Sequence, residues 1–197
     1  MLGRPPVTKA LKNGFVLSVV GAILLGSVLG WLLFADHGSS STASRARTGI
    51  QISLRRGIYP ALGIQLEQPT SWLTSAQGVV LTLASPDAGL TTITISSIGG
   101  PGQDVPLRRQ INSQIIKTFA PAKVIAQTHG PIGTIPAVTT GILGTKRKIL
   151  ILSTAVSSKY RTYGIQVFFK AIKPTRQSVL EVHNVLNSIR FFVPTPG

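Results

Sequence analysis

The 197-residue chain contains no cysteine. That excludes disulfides, thiolate metal sites, thiol catalysis and a lipid-modified N-terminal cysteine. Acidic residues are nearly as scarce: Asp36, Glu67, Asp87, Asp104 and Glu181 are the only five. Glycoside hydrolysis needs two carboxylates held across a substrate, and carboxylates this few and scattered argue against it. Asp104, just before a predicted helix, reads as a cap. His129 and His183 are the only histidines after the N-terminal third, and neither forms an H-x-x-x-H or H-E-x-x-H pattern. Zinc and non-haem iron sites take three or four ligands, so a histidine pair with one carboxylate is the most this inventory offers. No G-x-S-x-G, G-x-x-x-x-G-K-[ST] or G-x-G-x-x-G motif occurs, and these mark nucleophile elbows and phosphate-binding loops. The expectation is a protein without enzymatic activity and without cofactor or metal.

Basic residues are plentiful. Twenty Lys and Arg give a formal net charge of +15, which predicts attraction to anionic surfaces. From Ile50 onward there are 15 basic residues against four acidic ones, +11 for that part. The local clusters Arg55-Arg56, Arg108-Arg109 and Lys146-Arg147-Lys148, with Lys159 and Arg161 beyond them, are the candidate contacts for an anionic partner. Single-strand nucleic-acid binders interleave aromatic platforms with such cations. Here Phe168-Phe169 and Tyr160/Tyr163 read as strand residues, so nucleic acid is disfavoured.

The longest apolar run, Gly14 to Ala35, has 22 residues and no charge. As a helix it spans about 33 Å at roughly 1.5 Å per residue, enough for a bilayer core. Arg4, Lys9 and Lys12 precede it and Asp36 follows. This polarity places the N-terminus in the cytoplasm and the rest outside. Trp31 and Phe34 fall where aromatic rings favour the membrane interface. A cleaved signal peptide is the competing reading. Signal cores are shorter, about 7–15 residues, and the small-x-small triplet Ser44-Arg45-Ala46 lies well beyond the apolar end, which favours a retained anchor. Gly14, Ser18, Ala22, Gly26 and Gly30 recur every fourth position. Small residues so spaced let a second helix approach closely. Ser18, Ala22, Gly26 and Gly30 are therefore the candidate packing face, for another membrane subunit or for a second copy.

Four regions follow: residues 1–13 cytoplasmic, 14–35 transmembrane, 36–49 a Ser-rich flexible linker, and 50–197 an extracytoplasmic domain at the plasma membrane. In the domain, short apolar runs are divided by Pro and Gly. "IQISL" reads as a strand or packing arm, "GIQLEQP" puts Ile64 and Leu66 on one face, and "GVVLTLASP" with "LTTITISSI" reads as a hairpin. "LRRQINSQIIKTF" places Leu107, Ile111, Ile115, Ile116 and Phe119 on one helical face, stopped by Pro121. Four further strands follow, "KVIAQTHGPI", "IPAVTTGILG", "KILILSTAVSS" and "RTYGIQVFFKAI". A second helix has Val179, Val182, Val185, Leu186 and Ile189 as its buried side and Pro174 at its start. "RFFVP" closes the chain as a short strand. Strands joined by short turns, then helix, strands and helix, predict an antiparallel α+β fold with helices covering the sheet.

This order resembles PsbP-like domains over roughly residues 58–193. "GIQLEQPTSW" is similar to the family's opening strand and Pro-x-x-Trp turn. The strand ending at Ser85-Pro86, "TTITISSI" and "GPIGTIPAVTT" follow in family order. "VLEVHNVLNSIRFF" resembles the closing helix, with Ile189 and Arg190 in place of the usual Ser-Phe. The resemblance implies an α-β-α sandwich around an antiparallel sheet. Its members include extrinsic lumenal subunits of photosystem II, assembly factors and bacterial membrane-anchored proteins. It implies a scaffold that binds other proteins, although fold alone does not fix function. Two readings stay open: a subunit or assembly factor of a membrane complex, and an anchored binding module for lipid, envelope polymer or nucleic acid.

Overall fold

The computed structural model describes residues 52–87 and 90–195. The apolar stretch 14–35, with its candidate packing residues Ser18, Ala22, Gly26 and Gly30, lies outside the described residues. Among the described residues no helix is long and apolar enough to cross a membrane.

Alternating apolar residues generate most of the strands. These are β1 (Leu54–Tyr59), β2 (Ile64–Pro69), β3 (Leu73–Gln77), β4 (Val80–Ala84), β5 (Thr91–Gly99), β6 (Ala122–Ile132), β7 (Ile135–Gly144), β8 (Ile149–Ser157), β9 (Thr162–Phe169) and β10 (Arg190–Phe191). Helix α1 (Asp104–Thr118) lies between β5 and β6, and α2 (Arg176–Ser188) between β9 and β10. Seven strands form one antiparallel sheet in the order β3-β4-β5-β9-β8-β7-β6, and β1-β2-β10 form a second, smaller one.

The large sheet has two covered faces. On one, Leu81, Leu83, Ile93, Ile95, Leu152 and Val167 pack against α2 and the small sheet. The α2 residues Val179, Val182, Val185 and Leu186, with Ile189 just past its end, are all buried. Each such side chain contributes roughly 1.5–3 kcal/mol of burial free energy. Trp72 is 2% exposed in the same core, and its indole N–H donates to Glu181 Oε2 at 3.2 Å. On the other face Ile111 and Ile115 of α1 meet Ile142, Ile149 and Ile151. The arrangement is α1, large sheet, then α2 with the small sheet. Strand β8 is buried on both faces, which is why "ILILSTAV" reads as a continuous run rather than an alternation.

Strand β3 departs from the pattern. All five of its residues are exposed, so it carries no buried-face signature, and the sequence reading assigns the segment no element. Asp104 also departs. It is the first helical residue, preceded by Gln103, and no side chain caps the helix. Its carboxylate sits in the first turn, where the helix dipole favours a negative charge. Tyr160 lies outside β9, whereas Tyr163, Phe168 and Phe169 lie within it.

Candidate functional site

The three basic clusters go to three different places. Arg55, on β1, is a clamp. Its Nη2 donates to the Trp72 carbonyl at 3.0 Å and to Thr74 Oγ1 at 3.2 Å. The Gln68 amide oxygen, turned toward Arg55, accepts from Nε at 2.8 Å and Nη2 at 2.9 Å. Arg56 donates to Gln65 Oε1 across β1 and β2. These bonds hold the β2–β3 corner and leave Arg55 few donors for a partner.

Arg108 and Arg109 lie in the N-terminal half of α1. Arg108 is half-buried and reaches the Val138 carbonyl at 3.4 Å, while Arg109 is exposed. Arg108 lines a depression of about 460 Å³ with Asp104, His129 and Val138. His129 is exposed on β6, on the α1 side of the sheet, whereas His183 sits on α2 on the opposite side. The two histidines therefore do not converge. Among the described residues no group of three His, Asp or Glu could hold a metal ion. Burial pushes the His183 imidazole below its usual value of 6.5, and its Nε2 lies 2.8 Å from Asn187 Nδ2.

Lys146, Arg147 and Lys148 form the exposed turn between β7 and β8. Thr145 fastens that turn to the chain leaving α1: its N–H and its hydroxyl both donate to the Pro121 carbonyl, at 3.1 and 2.9 Å. The Arg147 guanidinium lies over the Phe119 ring at 5.3 Å, and Phe119 in turn packs on Phe168 at 5.9 Å between centroids. A cation stacked on a ring face is held in place without giving up its hydrogen-bond donors. Beside this stack opens a groove of about 550 Å³, lined by Thr92, Thr94, Phe119, Arg147, Phe168 and Lys170, with Ile149 at its base. Its lining contains two cations, two hydroxyl side chains and two aromatic rings, and no acid. Such a groove suits an anionic group attached to an apolar one.

Sequence reasoning selected Arg147 but missed Thr92, Phe119 and Lys170 as site residues. Part of the signal was present: Phe168 and Lys170 are two apart at the end of β9 and so share a face. What joins them to Arg147 and Phe119 is long-range pairing, with Ile151 opposite Phe168 across β8 and β9.

A second feature went unread. On the α1 side, Ser75, Thr82, Thr94, Gln166, Ser153, Thr140 and Gln127 form one cross-strand row through all seven strands. Asn112 of α1 donates to Thr140 Oγ1 at 3.0 Å. Gln166 is 1% exposed, yet neither of its amide atoms has a protein partner, and the Ser153 and Ser96 hydroxyls are likewise unpaired. Thr94 joins this row to the groove.

No protein-family model matches the chain, and no curated protein sequence matches it. Among solved structures, the solution structure of cyanobacterial PsbP (CyanoP) from Synechocystis sp. PCC 6803 matches with a TM-score of 0.50 at 13% identity, over 76% of this chain and 98% of that one. The fold is PsbP-like. A crystal structure from Bacteroides thetaiotaomicron VPI-5482 matches with a TM-score of 0.48 at 12% identity, over 69% of this chain. The match spans 47%, about half, of that protein's length. The PsbP-like core accommodates the two sheets and both helices described above, and the basic groove lies on its α1 side.

Proposed function

We propose that this protein is a non-enzymatic, single-pass membrane protein whose basic PsbP-like domain serves outside the cytoplasm as a subunit, stabiliser or assembly factor of a membrane complex. The observation that carries this reading is the acid-free groove at Arg147 and Lys170, a preformed receptor for a negatively charged partner on a domain of charge +11. The apolar stretch Gly14–Ala35 supports the anchoring, and its small-residue face supports a helix–helix contact in the bilayer. The alternative, an anchored module that binds an anionic ligand in its own right, is favoured by the same groove, whose volume suits a small head group. Gentle detergent extraction of native membranes and affinity capture of the full chain tests the first reading. A co-purifying membrane subunit is the expected outcome. Recovery as a lone monomer would overturn it.

A further inference from the structure

Basic residues and exposed aliphatic residues gather at one end of the large sheet. That end is formed where β4 finishes and β5 begins, where β9 finishes, where β7 turns into β8, and where β6 begins; the pairs Ala84–Thr92, Thr91–Phe169, Leu150–Phe169 and Ala122–Gly144 bring these points together. Lys146, Arg147 and Lys148 lie in one turn, Lys170 and Lys173 just after β9, and Lys123 at the start of β6. Leu90, Val124, Ile125 and Ile172 stand among them, each 46 or 47% exposed, and Leu73, at the same end of β3, is 69% exposed. The acid at this end is Asp87, whose carboxylate accepts from the Ser85 hydroxyl. At the opposite end three cations also make contacts within the protein. Arg161 donates to the Ala61 carbonyl at 3.0 Å, Lys159 lies over Tyr160, and Arg108 reaches Val138.

The geometry points to this end as a docking face for an anionic lipid surface, with the Arg147–Lys170 groove receiving a head-group phosphate. The inference deepens the anchored reading and rests on it. Three observations favour lipid over an acidic protein. First, five of the six cations are lysines, which protein interfaces disfavour and which lie easily at a membrane surface with apolar stems inward and the ammonium outward. Second, Lys and Arg side chains close to an anionic leaflet are attracted to it, and here half-exposed aliphatic side chains interleave with them, as on interfacial surfaces. Third, the chain enters the domain at this end: the Ser53 carbonyl accepts from Thr70 N–H at 2.9 Å, three residues from Leu73. A tether from the bilayer thus delivers the basic end first. The Arg147 guanidinium supplies donors for phosphate oxygens, and Phe119, Phe168 and Ile149 supply an apolar wall for the glycerol region.

The absence of cysteine makes the test direct. The full chain carrying Ile172→Cys, or Lys159→Cys at the opposite end, is labelled with a fluorophore and reconstituted into vesicles containing a head-group nitroxide quencher. One set of vesicles is phosphatidylcholine alone, and the other adds phosphatidylglycerol. The expected result is strong quenching at position 172 only with phosphatidylglycerol, reversed by high salt, and little quenching at position 159. Replacing Lys146, Arg147 and Lys148 together by Gln should lower the docked-to-free ratio on the order of tenfold or more. Equal quenching at both positions, or no dependence on phosphatidylglycerol, would overturn the proposal. So would capture of an acidic protein by this end without lipid quenching. Quenching is read before an alkaline wash. Release of the chain by that wash counts against a membrane-spanning anchor and leaves the lipid result standing.

Discussion

At the scale of single residues, the unpaired amide of Gln166 is the most exposed to test. A buried amide without partners costs about 1–3 kcal/mol relative to an apolar side chain of similar shape. Gln166→Met keeps the volume and removes the two unpaired atoms. The expected outcome is a gain of about 1–2 kcal/mol in urea unfolding. A clear loss instead would show that the amide is fully hydrogen-bonded in solution. His183 gives a pH dependence. Burial holds its folded-state value below the usual 6.5, so the unfolded chain binds the proton more readily. The stabilisation is therefore full above about 6.5 and is lost as pH falls through that value toward the folded one. Protonation also replaces the acceptor that Asn187 Nδ2 faces. In thermal scans wild type should lose stability between neutral and mildly acidic pH more steeply than His183→Gln. Parallel curves would contradict this.

At the scale of elements, α2 is capped where α1 is not. The Thr175 hydroxyl accepts from Ser178 N–H at 3.1 Å. Thr175→Ala should cost about 1 kcal/mol in equilibrium unfolding; no change would mean that the first turn is held by the packing of Val179 alone. For the N-terminal stretch, Gly26→Ile with Gly30→Ile should leave membrane insertion intact while weakening association of the helix with its partner, measured by in-membrane reporter assays. Undiminished association would reduce the small-residue face to ordinary membrane-helix composition. Legibility in the sequence also differs by element. The α2 face could be read because five aliphatic residues repeat at helical spacing, and β6 to β9 because Gly and Pro separate their apolar runs. Strand β3 could not, because all its residues face solvent and only its backbone pairing to β4 defines it. The groove could not be read as a unit either. Thr92, Phe119, Arg147 and Lys170 come from four segments, and no local pattern links them. The polar row was hidden for the same reason, since each strand contributes one residue of a line visible only across all seven.

At the scale of the whole molecule, charge, fold and tether act together. The PsbP-like core has apolar burial on both faces of the large sheet, so the excess of basic residues is displaced to edge strands, turns and helix surfaces. Five acids in the full chain cannot neutralise it. A domain of this charge gains by lying against an anionic surface, and the gain falls as salt screens it. In the proposed reading, confinement by an anchor would add effective concentration: a linker of the 14 residues 36–49 would keep the domain within tens of ångströms of the bilayer. Weak contacts at the basic end then suffice to orient it. The central claim is that the protein works in contact with a membrane partner. Crosslinking in intact native membranes before any detergent, followed by denaturing separation, tests this most directly. The account predicts a discrete adduct well above the 20.8 kDa chain, reduced by Gly26→Ile with Gly30→Ile. A single uncrosslinked species at 20.8 kDa, in membranes where known complexes do crosslink, would contradict it.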